Sequence, residues 1–125
     1  MANKIINFFF VGLTASLVHT LVAGLVLKSD VGGVFVANTF GFIVAFMVSY
    51  SGHYYITFGS DVQHSVAFFK FLLTALIGFG FNSMILMFLV YLFQQESLLF
   101  IVVAIIGSAG LVYILSRNWV FVRQG

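Results

Sequence analysis

The sequence predicts an all-α integral membrane protein with four transmembrane helices, arranged as two tandem helical hairpins with both termini in the cytoplasm. Three observations support this fold class. First, 62% of the 125 residues are hydrophobic and only 6% are charged, whereas soluble domains carry about a quarter charged residues. Second, the few charges separate four long apolar spans. Third, the chain resembles itself at a fixed offset, so we expect a single membrane domain built from a repeat.

The four apolar spans are long enough to cross a bilayer as helices. A helix needs roughly 20 residues to cross about 30 Å of hydrocarbon, where only helices and closed barrels satisfy their backbone groups. The sequence lacks the strict alternation of polar and apolar residues that marks barrel strands. We therefore predict helices over Ile5–Leu27, Val34–Tyr55, Phe68–Phe93 and Leu98–Trp119.

The first span is predicted to remain in the protein as a helix. Its apolar stretch exceeds the roughly 7–15 residues of a signal-peptide core, and no Ala-x-Ala cleavage site follows it. At helical spacing its small and polar residues form one stripe, which consists of Gly12, Ser16, His19, Thr20, Ala23 and Gly24. Small residues let helix backbones approach closely in lipid, so this face is predicted to be buried in protein.

The other three spans carry similar stripes. They consist of Asn38, Gly41, Ala45, Ser49 and His53 in the second span, Thr74, Gly78 and Asn82 in the third, and Ala104, Ser108 and Val112 before Ser116 in the fourth. Packing alone explains the Gly, Ala and Ser positions and remains the alternative to a function there.

The two halves of the chain match in register without a gap. Repeat one covers about residues 5–58 and repeat two about residues 68–121, so that His19 aligns with Asn82, an offset of 63 residues. The polar segment Gly59–His64 joins them. Because each repeat crosses the membrane twice, both begin on the same side, which makes this a parallel repeat and not an inverted one.

The basic residues predict the orientation of the chain. Lys28 is the only one in the first and third loops. The amino end, the central loop and the carboxyl end hold the other four, which are Lys4, Lys70, Arg117 and Arg123. Because short-looped membrane proteins retain Lys and Arg preferentially on the cytoplasmic side, we predict that both termini are cytoplasmic.

The composition argues against an enzyme acting alone. The three carboxylates, Asp30, Asp61 and Glu96, fall in three different loops, so no acid pair is expected within one subunit. The sequence has no cysteine, no close spacing of metal-ligating histidines, and no phosphate-binding glycine loop. A net charge of +2 is too small to indicate nucleic-acid binding. We therefore predict no catalytic residue, no metal, no cofactor and no nucleic-acid partner.

Three polar residues are predicted to lie at membrane depth. His19 and Asn38 occupy comparable depths in the first two spans, and Asn82 holds the position of His19 in the second half. Polar groups at this depth are costly and usually face a bundle interior or an aqueous cavity. One interpretation is that they line a polar path; the other is that they form interhelical hydrogen bonds worth about 1 kcal/mol or less.

A second group of candidates lies near the predicted cytoplasmic surface. Arg117 lies on an apolar helix and its guanidinium suits bidentate binding of phosphate. Other residues expected near it are Lys70, His53, Tyr54, Asn118 and Trp119. The alternative is that the cations snorkel to lipid phosphates while Tyr and Trp form an interfacial belt, which we prefer for Lys70 but not for Arg117.

Several short motifs follow one another along the chain. They are Gly12 followed by His19, Ala37-Asn38-x-x-Gly41-Phe42 leading through Ala45 and Ser49 to Phe58, Asn82, and Ser116-Arg117-Asn118-Trp119-Val120-Phe121. By the order and spacing of these motifs, the chain resembles the GtrA-like proteins over essentially its whole length.

The resemblance implies a bacterial inner-membrane protein that works with polyprenyl-phosphate sugars. Similar proteins are assigned to flip undecaprenyl-phosphate-glucose from the cytoplasmic to the periplasmic leaflet, for modification of O-antigen or other surface polysaccharides. Membrane glycosyltransferases make and use that lipid, and some similar proteins anchor or recruit such enzymes. The first half departs from the pattern at His53-Tyr54-Tyr55-Ile56, where the family more often shows Asn, a basic residue and Trp. This departure leaves Arg117 as the stronger phosphate candidate.

The leading hypothesis is therefore a translocase for a lipid-linked sugar. Arg117, assisted by Lys70 and His53, binds the phosphate, and the three membrane-depth residues line the path of the sugar. The outward apolar side chains contact membrane lipids. Because four short helices are expected to enclose little volume, we also predict a homo-oligomer, with a dimer favoured and the groove near a subunit interface. The alternatives are a scaffold that recruits a glycosyltransferase and a small multidrug exporter, which the lack of acids at membrane depth argues against.

Overall fold

The computed structural model describes residues 2–57 and 63–120, and these residues form helices without any strand. The four helices are α1 (Ala2–Lys28), α2 (Val34–Gly52), α3 (His64–Phe93) and α4 (Leu98–Leu115). Each is long and apolar enough to cross a membrane. The structure thus confirms the predicted all-α class with four helices of transmembrane length.

Helices α2 and α4 start as predicted and continue as π-helical turns near their predicted ends, whereas α1 starts at Ala2 and not at Ile5, and α3 also starts earlier than predicted. The sequence predicts that this helix begins at Phe68, but it begins at His64 because the carbonyl oxygen of Gln63 accepts hydrogen bonds from Val66 and Ala67, both at 3.0 Å. His64, which the sequence assigned to the linker, therefore belongs to α3. Other residues used in the sequence argument lie outside the described residues, namely Phe58, Asp61, Phe121 and Arg123.

The helices pack as an antiparallel bundle in which consecutive helices are neighbours and α1 also packs on α4. The direction of α1 and α2 follows from two contacts, since Asn7 donates to the carbonyl of Ile56 and His19 bonds with Asn38. We call the end where α1 and α3 begin the near end, and the end with the loops 29–33 and 94–97 the far end.

Two apolar clusters hold the bundle together at its two ends. Because lipid covers the outward faces, buried side chains are confined to this narrow interior. The far-end cluster consists of Ala23, Val34, Ala37, Leu86, Phe100, Ile101 and Ala104. The near-end cluster consists of Phe46, Tyr50, Tyr54, Ala67, Phe71, Ala75 and Val120.

Two π-helical turns extend α2 and α4 at the near end. The first covers His53–Thr57 and the second Ser116–Val120, so their starts are separated by the 63 residues that relate the two halves of the sequence. At each junction one backbone N–H contacts two carbonyl oxygens, as for His53 with Ser49 and Tyr50. Such turns alter the helical register and frequently occur at functional sites.

Candidate functional site

Three buried polar side chains connect α1, α2 and α3. Nε2 of His19 lies 2.9 Å from Oδ1 of Asn38, and Nδ2 of Asn38 donates to Oδ1 of Asn82 at 2.7 Å. The exposed fractions of these side chains are 6%, 0% and 4%. We call them the polar triad. The structure thus brings together the three residues that the sequence placed at membrane depth.

The hydrogen bonds of the polar triad run in one direction. The amide oxygen of Asn38 is only an acceptor, so the Nε2 of His19 donates to it, and Asn38 in turn donates to Asn82. His19 and Asn82 border the central cavity, whereas Asn38 lies fully buried between them. Asn38 therefore fixes the positions of the imidazole and of the amide that face the cavity.

A glycine allows α2 to approach α1 closely enough for this network. Gly41 lies one turn after Asn38 and packs against His19. A Cβ atom added at Gly41 would lie 2.6 Å from the backbone oxygen of His19, a distance that real Cβ atoms essentially never show. The absence of a side chain at this position is consequently a requirement of the interhelical hydrogen bond.

A cavity of about 540 Å³ lies between the four helices. This volume falls within the range of roughly 300–1,000 Å³ that is typical of small-molecule sites. Aromatic and aliphatic side chains form most of its walls. Its polar lining residues are Ser16, His19, Ser49, His53, Asn82, Ser108 and Tyr113.

Packed side chains separate this cavity from the near end of the bundle. The ring of Phe8 stacks on His53 at 4.4 Å between centroids and meets Tyr113 edge-on at 4.6 Å. Phe71 lies 6.0 Å from the same imidazole. At the other end, the far-end cluster joins all four helices. Access to the cavity is therefore not along the axis of the bundle.

The cavity opens sideways, between α1 and α4. Phe9 and Leu13 on α1 and Ile106 on α4 line the cavity, yet their exposed fractions are 68%, 61% and 69%. These side chains lie within apolar helices of transmembrane length. The opening, which we call the α1–α4 window, therefore faces lipid and not water.

The predicted phosphate-binding residues divide into two places. Nζ of Lys70 lies 5.8 Å from the centre of the Trp119 ring, a cation–π distance. Arg117 and Asn118 are exposed on the second π turn, and none of these four residues lines the cavity. His53, which the sequence grouped with them, is only 1% exposed and lines the cavity instead. The cations of Lys70 and Arg117 and the buried imidazole of His53 thus lie in separate places.

A cluster around His64 was not predicted from the sequence. The hydroxyl of Tyr50 lies 3.0 Å from Nδ1 of His64 and that of Tyr55 lies 2.9 Å from its Nε2. The ring of Tyr54, a predicted site residue, stacks on the same imidazole at 3.9 Å. The available signal was three closely spaced tyrosines before a histidine. It was missed because His64 was assigned to the linker.

The arrangement offers hydrogen-bonding groups inside a mostly apolar cavity. Within residues 2–57 and 63–120, no three His, Cys, Asp or Glu side chains come together in a group able to hold a metal ion. Ser16 and Ser49, for which the sequence left packing as the alternative to a function, both line the cavity with hydroxyl-bearing side chains. These groups can donate and accept hydrogen bonds within an apolar surrounding.

Comparison with known proteins gives one match. The family model of the GtrA/DPMS transmembrane domain matches residues 7–121. This range includes the polar triad, the cavity and both π turns. No curated protein and no solved structure matched the chain.

Proposed function

The chain belongs to the GtrA/DPMS transmembrane domain family, and we propose that it translocates a polyprenyl-phosphate-linked sugar, such as undecaprenyl-phosphate-glucose, across the bacterial inner membrane for modification of cell-surface polysaccharides. The observation that carries this proposal is a cavity that opens between α1 and α4 and is bordered by two residues of the polar triad, His19 and Asn82. A lipid with a polar head needs both features. Its chain stays in hydrocarbon, while its head needs polar groups in place of water, because an unpaired polar group in an apolar environment costs several kcal/mol.

The sugar is proposed to bind at the polar triad. The imidazole of His19 and the amide of Asn82 border the cavity and can exchange hydrogen bonds with sugar hydroxyls. The hydroxyls of Ser16 and Ser49 lie on other parts of the same wall. Asn38 has a positioning role in this proposal, since it is buried behind the other two triad residues.

The phosphate is proposed to bind first at the near end. Lys70 and Arg117 supply positive charge there, and the positive-inside rule favours a cytoplasmic location for this end. Arg117 is exposed, and its planar guanidinium matches two phosphate oxygens. His53, inside the cavity, would contact the head only after it has left this surface. Capture and passage are thus assigned to different residues.

The larger assembly is also part of the proposal. We propose that the chain is a duplicated helical hairpin and that it works as a homo-oligomer, with a dimer favoured, beside the membrane glycosyltransferases that make and use the lipid. The expectation that one chain encloses little volume does not hold, since the single chain contains the cavity of about 540 Å³. We therefore propose that the groove lies inside a subunit and not at an interface.

Flipping of a fluorescent, short-chain polyprenyl-phosphate sugar in proteoliposomes tests the proposal, with a membrane-impermeant reagent to score the leaflet. Wild-type protein is expected to flip the lipid. Asn82→Leu should slow flipping about tenfold, which corresponds to a loss of about 1.4 kcal/mol. Arg117→Ala should raise the lipid concentration needed for half-maximal flipping. Thr39→Val is the matched control, because Thr39 is an exposed residue of α2 whose hydroxyl bonds only to the carbonyl of Phe35.

The outcomes separate translocation from recruitment. If well-folded wild-type protein flips none of several sugars but retains a glycosyltransferase on affinity purification, the protein is a scaffold. If flipping occurs and both site variants behave like Thr39→Val, translocation stands and the assigned site is wrong. Monodisperse elution in detergent shows that each variant is folded.

A further inference from the structure

We infer that the α1–α4 window is the binding groove for the isoprenyl chain of the lipid substrate. The identity of the chain rests on the proposed function, but the groove follows from the packing of the two helices. The cavity that holds the head and the bilayer that holds the tail meet at this opening. A lipid whose head enters the cavity must therefore pass its tail through the window.

Two contacts define the limits of the window. Towards the far end, a Cβ atom at Gly24 would lie 3.7 Å from Cδ2 of Leu98. Towards the near end, the rings of Phe8 and Tyr113 are 4.6 Å apart. Along α1 these contacts are separated by about 24 Å at 1.5 Å per residue. The helices touch at both limits, and the cavity opens to the outside between them.

Close to its near-end limit, the window has a notch made by two glycines. Gly12 of α1 and Gly110 of α4 both line the cavity, and a Cβ atom added to either would meet nothing within 4 Å. Because the two helices are antiparallel and touch at Phe8 and Tyr113, these glycines lie at the same level, one turn further in. A thin, flexible chain can pass between them without displacing a side chain.

The rim of the notch suits a branched hydrocarbon. Phe9, Leu13 and Ile106 are exposed, line the cavity, and offer only apolar atoms from their side chains. An isoprenyl chain gains little free energy by moving from lipid into the groove. It is therefore held here by close packing and by its covalent link to the bound head. A second copy of the chain is a different occupant, and its helix would seal the cavity from the bilayer.

Leucine at the notch provides the first test. Gly12→Leu and Gly110→Leu fill open space, so we expect both proteins to fold and to flip the fluorescent lipid at least tenfold more slowly than wild type. Gly80→Leu is the matched control: Gly80 also has nothing within 4 Å of a Cβ atom, but it lies on α3 outside the cavity. Its flipping rate should stay within twofold of wild type.

Photolabelling with an isoprenyl phosphate that carries no sugar provides the second test and needs no variant. Farnesyl phosphate with a diazirine at the end of its chain is reconstituted with wild-type protein, and labelled residues are mapped by mass spectrometry. We expect labels at Leu13 and Ile106, reduced by excess unlabelled isoprenyl phosphate. Met84 on α3 has a similar exposure of 63% and should be labelled weakly and without competition.

The results distinguish failure of the groove from failure of the proposed function. Equal labelling of Met84 and Ile106, or unimpaired flipping by both leucine variants, overturns the groove while translocation by wild type stands. Competed labelling at the window without any flipping supports the groove and overturns the translocase. Efficient cross-linking between two copies through Leu13→Cys and Ile106→Cys would show a helix interface there and would also overturn the groove.

Discussion

At the scale of single residues, the position of the polar triad depends on Gly41. The backbone of α1 passes so close to this glycine that a Cβ atom would lie 2.6 Å from the carbonyl oxygen of His19. A carbonyl oxygen within a helix cannot move as a side-chain tip can. Any substitution at Gly41 must therefore separate α1 from α2 and stretch the bond between His19 and Asn38.

Gly41→Ala is accordingly expected to destabilise the protein by about 1–3 kcal/mol, the usual cost of overpacking a core. The free energy of unfolding is measured by titration with SDS in mixed micelles. Gly80→Ala serves as the control, because its Cβ atom meets nothing within 4 Å. Equal stability of the two variants would show that α1 and α2 do not pack closely at Gly41.

At the scale of helices, the cluster around His64 joins the end of the first helical pair to the start of α3. Both ring nitrogens of His64 meet tyrosine hydroxyls, and the hydroxyl of Tyr50 also donates to the carbonyl oxygen of His64 at 3.3 Å. The direct contact between α2 and α3 is less extensive than the contact between α1 and α2 or between α3 and α4. The cluster thus strengthens a junction that helix packing alone leaves weak.

His64→Ala is expected to remove these bonds and to loosen the first turn of α3. With net hydrogen bonds worth about 1 kcal/mol each, the local loss is about 2 kcal/mol. Hydrogen exchange of the backbone amides 66–70 should accelerate by more than tenfold. Tyr91→Phe is the control, since Tyr91 is 76% exposed at the far end. Unchanged exchange in His64→Ala would mean that the cluster does not hold α3.

The π turns also act at the scale of helices. At Ser116 one N–H is shared between the carbonyls of Tyr113 and Val112, and the chain then continues with a wider turn. Ser116, the first residue of this turn, is completely buried, and Arg117, the next residue, is exposed at the surface. The equivalent turn in α2 likewise begins with a buried residue, His53. The wider turn changes the helical register only of the residues that follow.

At the scale of the whole molecule, the distribution of positive charge predicts that the near end faces the cytoplasm. The protein has no cysteine, so single-cysteine variants report accessibility without background. Gln95→Cys at the far end should react with a membrane-impermeant maleimide in intact cells. Gln63→Cys at the near end should react only after permeabilisation. The opposite pattern would place both termini outside and would reverse the proposed direction of capture.

The composition and the spacing of charges determined much of the fold. Length and apolarity are properties of one segment at a time, so four helices of transmembrane length were predictable, and the membrane depth of His19, Asn38 and Asn82 stays a prediction from their places in those segments. The approach of these three residues to one another was a hypothesis until the helices were seen packed. Periodicity shows which face of a helix is polar, but it does not show which helix lies opposite.

Only the tertiary structure decided where the cavity lies and how it opens. The α1–α4 window, the separation of His53 from Lys70 and Arg117, and the cluster around His64 all depend on distances between helices and on register. The two π turns shift that register locally, and the start of α3 at His64 places this residue within reach of three tyrosines. Sequence thus determined which residues cross the membrane, whereas interhelical packing decided which of them face each other, because facing is a property of pairs of helices and not of any single one.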